Sequence, residues 1–472
     1  MTMEGRKDMV RSGVVALTIA AGLAGSTVVQ AQECDVAVAA AEASLRNIPA
    51  GAALPQVIVK YREGTEAVSS MALEERIPGL LPLLEAEIET PTPAGVRIFE
   101  LDVPIGMDSA EAAREVTSTV DRLRAQPDVE YAHLNYIVGP HAGPPTTDPC
   151  YRLQWHYWPH GSGEMQSDGG IDLPATWPTN TGSADVIVAV IDTGLVDAHP
   201  DFNAANVIPG WDFIDNDPDA TDVGPNNGFH GTHVAGTIGV LTSNNGSGAA
   251  SVNWDVKIQP IRALDGNGSG SFLGIANAIR WAAGDTLSDG NTNPTPARVI
   301  NMSLGGGIAC LPQSAGAIID AINFATDRGA LVVVSAGNEN SDAAGSTPAS
   351  CPNTLTVAST GFAGQRSWFS NFGAMVDIAA PGGEMRDRFG NSIDLNGDGY
   401  ADGVLSSVKT GFELYQGTSM AAPHVSGVAA LVFTRNPSAT PQQVFDMIVS
   451  AATPLNCDLP CGAGLLNATV AQ

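Results

Sequence analysis

The run Gly417-Thr418-Ser419-Met420-Ala421-Ala422-Pro423-His424 places a serine at the start of a stretch apolar enough to be a buried helix. The first N–H groups of a helix lack intrahelical partners and favour negative charge, so a hydroxyl held there is well placed to generate an anion beside it. Taken alone, a serine in that position is commonly an N-cap and nothing more. Two other segments supply what a serine nucleophile needs. The run 186–191, Val-Ile-Val-Ala-Val-Ile, reads as a strand buried on both faces and ends in Asp192-Thr193-Gly194. Downstream, His230-Gly231-Thr232-His233 puts an imidazole at the head of another helical stretch. Imidazole titrates near pH 6.5 and can accept the serine proton, while a carboxylate can hold it in one tautomer. Each motif alone has a plain structural reading, a turn cap for the aspartate and a core position for the histidine.

Taken together, in the chain order Asp192, His230, Ser419, the three motifs closely resemble those of the subtilisin-like serine peptidases. The resemblance runs from about residue 154 to the C-terminus and is nearer the secreted Gram-negative and proteinase K-like members, notably around Ser346-Thr347-Pro348-Ala349-Ser350. It implies Ser419 as nucleophile, His230 as base and Asp192 as its orienting acid. It also implies Asn338, in Ser335-Ala336-Gly337-Asn338, as a donor to the oxyanion, with the Ser419 backbone N–H as second donor. A turn asparagine is the alternative reading. Substrate would lie between two segments, one containing Ser269 and Gly270, the other Ser303, Leu304 and Gly305, paired by strand addition. No charge is evident in the specificity pocket, which points to broad cleavage with an apolar or aromatic preference. A silent binding protein that keeps the fold, and an esterase using the same triad, are the competing functions.

The elements that must position these residues follow from the same reading. An α/β fold is expected: a subtilisin-like three-layer domain with a mostly parallel central sheet flanked by helices, preceded by a small α+β, ferredoxin-like propeptide domain. In the N-terminal region, residues 56–61 and 96–101 read as strands, 110–125 as a helix and 130–138 as a third strand. Arg6, Lys7 and Arg11 precede an apolar stretch and Val29-Gln30-Ala31, the pattern of a cleavable signal, with a membrane anchor as the alternative. The expected division is a signal peptide at 1–31, a propeptide with its linker at 32–148, and a peptidase domain at 149–472. The propeptide would act as intramolecular inhibitor and folding aid, and the secreted product is expected to be a monomer acting on proteins and peptides.

A net charge of −28 disfavours nucleic-acid binding, and no later run is apolar enough to span a bilayer. Six cysteines in an exported chain suggest disulfides. Cys310 and Cys351 flank the Asn338 segment and are expected to pair, as are Cys457 and Cys461; Cys34 with Cys150 is a possible third pair. Structural Ca2+ is the expected cofactor. Asp394, Asn396, Asp398 and Asp402 follow the first half of an EF-hand loop, although Leu405 stands where its bidentate glutamate belongs. Asp201 matches a calcium ligand of the family, whereas the loop 244–248 departs from the pattern that would complete that site. The acidic stretch Asp212, Asp215, Asp217 and Asp219 reads as solvated rather than metallated.

Overall fold

The computed structural model describes residues 145–472 except 162, 164, 225 and 227, and, before them, 16–18, 28–29, 56–62, 72–73, 76–77, 80, 82–85, 95–101 and 109–134. Two compact units result. One comprises Met1–Val38, Pro144–Leu395 and Gly399–Gln472, the other Ala39–Gly143 with Asn396–Asp398.

Two short strands, β1 (Ala16–Thr18) and β2 (Val28–Val29), belong to the larger unit. In the smaller unit, β3 (Gln56–Tyr61), β4 (Leu83–Glu85), β5 (Val96–Leu101) and β6 (Val129–Leu134) form an antiparallel sheet in the order β4-β5-β3-β6. That order is the ferredoxin-like one. Helix α1 (Ser109–Arg124) contributes Val116, Val120 and Leu123 to a core with Val57, Val59, Phe99, Leu101 and Ala132. The strand Leu83–Glu85 is too short to stand out in the sequence.

The larger unit is built on seven strands: β7 (Ile187–Asp192), β8 (Trp211–Asp212), β9 (Lys257–Arg262), β11 (Val299–Met302), β12 (Leu331–Ser335), β13 (Thr354–Thr360) and β14 (Ile378–Pro381). All pair in parallel, in the order β14-β13-β12-β11-β7-β9-β8. A period of two sorts the side chains into two cores. Val188, Val190, Val333 and Val357 face one layer, and Ala189, Ile191, Ile300 and Val332 face the other. Each fully buried valine or isoleucine contributes about 1.5–3 kcal/mol through lost apolar surface.

Helix α5 (Thr418–Arg435) fills the first layer. It is buried from Thr418 to Phe433, as expected of a helix that is apolar all round. Helices α3 (Phe272–Ala282) and α4 (Pro312–Asp327) cover the opposite face. Three short strands remain: β10 (Ser269–Ser271), β15 (Val404–Ser407) and β16 (Phe412–Tyr415), the last two an antiparallel pair. From β7 the chain first adds strands on one side and then, with β11, on the other. The carboxyl ends of β7 and β11 therefore flank a topological switch point, where open α/β sheets hold their ligands.

Candidate active site

Asp192 ends β7 and is fully buried. Its Oδ1 accepts the Thr193 N–H at 2.7 Å and lies 2.8 Å from His230 Nδ1. A carboxylate only accepts, so the shared proton sits on Nδ1, and in the neutral ring Nε2 is left basic. His230 opens helix α2 (His230–Ala235), which approaches β7 closely. A Cβ on Gly231 would stand 2.4 Å from the Gly194 carbonyl oxygen and 3.1 Å from the Asp192 Cβ, so this contact requires glycine.

Ser419 is the second residue of α5 and is 6% exposed. Gly417 before it has φ 151°, ψ 159°, a conformation suited to glycine alone. Ser419 and Ser303 exchange hydrogen bonds. The Ser419 hydroxyl donates to the Ser303 carbonyl at 3.2 Å, and the Ser303 hydroxyl donates to the Ser419 carbonyl at 2.8 Å.

Asn338 follows β12, with Oδ1 accepting the Thr418 N–H at 2.9 Å and the Thr418 hydroxyl at 3.0 Å. The Thr418 hydroxyl in turn accepts the Gly337 N–H at 3.1 Å. These donors fix which end of the amide is oxygen. Ser419, Thr418 and Asn338 line one pocket of about 350 Å³, open to solvent, together with Leu304, Gly305, Ala336 and Ala349. Glu339 also lines it, so the pocket carries a carboxylate that the sequence reading did not foresee. Its Oε2 accepts from Asn371 Nδ2 at 2.8 Å. Ser269 and Gly270 are not among the residues lining this pocket; there β1 pairs antiparallel with β10, Leu17 opposite Gly270 and Thr18 opposite Ser269, which is strand addition at the segment expected to hold a peptide.

Residues 183–464 match the subtilase family model. The chain belongs to the subtilase family. It is a serine peptidase, a hydrolase. An extracellular basic protease of Dichelobacter nodosus is 34% identical, with 97% of this chain and 76% of the relative covered. An extracellular protease of Xanthomonas campestris is 35% identical over 88% of this chain and 72% of its own. Among solved structures, a protease from Pseudoalteromonas arctica superposes with a TM-score of 0.60 at 38% identity, covering 70% of this chain and 98% of the other.

Elsewhere in this subtilase, the disulfides Cys310–Cys351 and Cys457–Cys461 are both formed. Cys150 is also disulfide-bonded, while Cys34 lies outside the described residues, as does nearly all of the expected signal peptide. Among the described residues no helix is long and apolar enough to cross a membrane.

Asp201 is 5% exposed; its Oδ2 accepts the Ala249 N–H at 3.0 Å, and Oδ1 has no hydrogen-bond partner among the described residues. Burial, aided by the charge of Asp148, pushes its carboxyl up to about 7 against the pull of the Ala249 N–H. Asp148, also buried, accepts the N–H groups of Asn244 and Asn245. In the EF-hand-like loop, Asp394 accepts the Gly399 N–H, Asp402 accepts the Leu395 N–H, and Asn396 Nδ2 donates to Asp398. No group of three or more His, Cys, Asp or Glu among the described residues forms a metal cage. Asp212 departs from the solvated reading: it is buried, paired with Arg262, and caps the Ile214 N–H.

Proposed function

We propose that the chain is a secreted serine endopeptidase, made as a self-processing zymogen, in which Ser419, His230, Asp192 and Asn338 perform the chemistry. The observation that carries this reading is the 2.8 Å contact of His230 Nδ1 with Asp192 Oδ1 at the end of a buried parallel strand, in the same compact unit as a serine at the head of a buried helix. The Ser419 hydroxyl leaves the Ser303 carbonyl, gives its proton to His230 Nε2 and attacks the scissile carbonyl. Asp192 stabilises the imidazolium that results. The Asn338 amide and the Ser419 N–H take the oxyanion; losing one such donor costs about 3–4 kcal/mol, a magnitude known for this family rather than derived from this fold. His230 then protonates the leaving amine, and water, activated by the same imidazole, releases the acyl group.

The pocket walls of Leu304, Gly305, Ala336 and Ala349 favour an apolar or aromatic residue before the scissile bond. Peptide on either side of it would pair with Ser269, Gly270 and Ser303 as β1 pairs with β10. Residues 1–31 serve as signal and 32–148 as propeptide, the four-stranded unit acting as inhibitor and folding aid for the 149–472 domain. Calcium fits Asp201. A buried carboxylate oxygen without a partner among the described residues, raised further by Asp148, suits a hard cation that takes oxygen ligands. Asp394, Asn396, Asp398 and Asp402 form a second candidate, in which a cation would replace the loop's own N–H donors. The ion's contribution would be structural.

Expression of the whole precursor beside Ser419→Ala, following its size and casein hydrolysis, tests this. Processing and hydrolysis in the parent alone are expected. Equal processing in both removes self-cleavage, and retained hydrolysis in Ser419→Ala removes the nucleophile.

A further inference from the structure

Asp222 lies outside both the strand of Asp192 and the helix of His230, is 3% exposed, and bonds to both of those elements. Its Oδ2 accepts the Thr193 hydroxyl at 3.0 Å, the Thr232 hydroxyl at 3.0 Å and the Thr232 N–H at 3.3 Å, while Oδ1 accepts the Gly224 N–H at 3.3 Å. Having donated its proton to Asp222, the Thr193 hydroxyl accepts the Gly231 N–H at 2.9 Å. Thr193 directly follows Asp192, and Gly231 directly follows His230. The Thr232 hydroxyl, also committed to Asp222, accepts the Val196 N–H at 3.1 Å. One buried carboxylate thus orients two hydroxyls, each of which then holds a backbone N–H of the opposite element.

We propose that Asp222 is a positioning residue for the hydrolysis, holding the end of the Asp192 strand against the head of the His230 helix. The inference rests on the assignment of Asp192, His230 and Ser419 made above. Only an acceptor fits this place, because all four bonds to it come from donors, and two from hydroxyls that have given up their protons. An asparagine would offer one oxygen and turn an NH2 group toward those same donors. Burial opposes the charge and pushes the Asp222 carboxyl up; the bonds from the Gly224 N–H and the Thr232 and Thr193 hydroxyls work against that, and the charge of Asp192 adds to it. The other titratable groups here are Tyr415, whose phenol is raised partly by Asp222 and Glu413, and His233, which stacks on Tyr415 and also faces His230.

The test is steady-state kinetics of the secreted enzyme on a peptide substrate, per active site titrated with a fluorophosphonate, across pH 5 to 9. In Asp222→Asn, kcat and kcat/KM are expected to fall at least tenfold with KM unchanged. A residue that only supported the fold would lower the titrated fraction and leave both readouts alone. Thr193→Val, which cuts the link to Gly231, is expected to lower kcat, and Thr193→Ser to restore it. Parental kcat in Asp222→Asn overturns the proposal. Should that variant yield no titratable enzyme, parental kcat in Thr193→Val overturns it. Activity surviving in Ser419→Ala would instead sink the underlying assignment, so the two failures are distinct.

Discussion

Thr418 grips Asn338 twice: its backbone N–H and its hydroxyl both donate to the same Oδ1, at 2.9 and 3.0 Å. An amide can otherwise turn over and present oxygen where nitrogen is needed. With both donors in place, Oδ1 is committed to the helix side and the NH2 group is presented on the other.

Thr418→Val keeps the shape and removes the hydroxyl bond. The expected outcome is a fall in kcat of about tenfold, smaller than loss of the oxyanion donor itself, with KM close to the parent. Thr418→Ser should restore most of it. Equal kcat in the valine variant would mean that the backbone N–H alone orients Asn338.

Acid should destabilise the fold through buried histidines. His156 and His424 lie in the core, 2.8 Å apart between Nδ1 and Nε2, and His233 is buried with Nε2 on the Val404 and Glu413 carbonyls. Burial holds His156 well below its usual value, His424 down at about 4 and His233 at about 3. Below about pH 6.5 the unfolded chain takes up protons that the fold refuses, so stability falls with pH until the folded values are reached, by up to about 1.4 kcal/mol per unit for each histidine. Asp201 and Asp377, raised by burial to about 7 and about 6, act with the opposite sign over the same interval. Melting temperature against pH for parent and His156→Gln isolates the histidine term. The variant should lose about one proton's worth of slope between pH 6 and 4.5.

Calcium removal should matter more at alkaline than at acid pH. With its carboxyl raised to about 7, Asp201 is neutral at pH 5 and ionised at pH 8, where a cation offsets its burial. Ligand at a hundredfold excess over its Kd stabilises by about 2.7 kcal/mol. A chelator is therefore expected to lower the melting temperature by several degrees at pH 8 and by less at pH 5. Asp201→Asn should abolish the difference, and a chelator effect unchanged in that variant would move the ion elsewhere.

Glu339 should admit basic side chains to a pocket whose other lining residues are all uncharged. In Glu339→Gln, cleavage after Lys or Arg should drop several-fold relative to cleavage after Leu or Phe, most visibly at low salt because the carboxylate is exposed. A panel of peptides differing only at that residue gives the ratio.

The large sheet was legible because its strands are short apolar runs rich in β-branched residues, such as 186–191 and 331–334, that end at glycine turns. The motifs around Asp192, His230, Asn338 and Ser419 stand out in the sequence because each is short and carries a glycine that marks a special backbone. What the sequence hid were roles created by distant contact. Asp222 gains its partners only when Thr193 and Thr232 converge on it, and Asp148 only when residues 244–245 fold over it. Glu339 was passed over for a different reason: its neighbour Asn338 carried the motif, and only the turn after β12 brings the carboxylate to the pocket. Asp212 looked like one of several solvated acids until Arg262, at the end of β9, took it up.

The parallel sheet also bears on time rather than geometry. At its centre Val188 pairs with Val299, about a hundred residues apart in sequence, and helix α5, which carries Ser419, comes later still. Every such pairing must close a long loop before any contact compensates for it, so the barrier from coil to fold is high and folding is slow. A peptidase that folds slowly among finished copies of itself leaves its unpaired strands exposed to them for that whole interval. The topology that builds one sheet from strands so far apart in the chain thereby also sets how long the enzyme is vulnerable before it is folded.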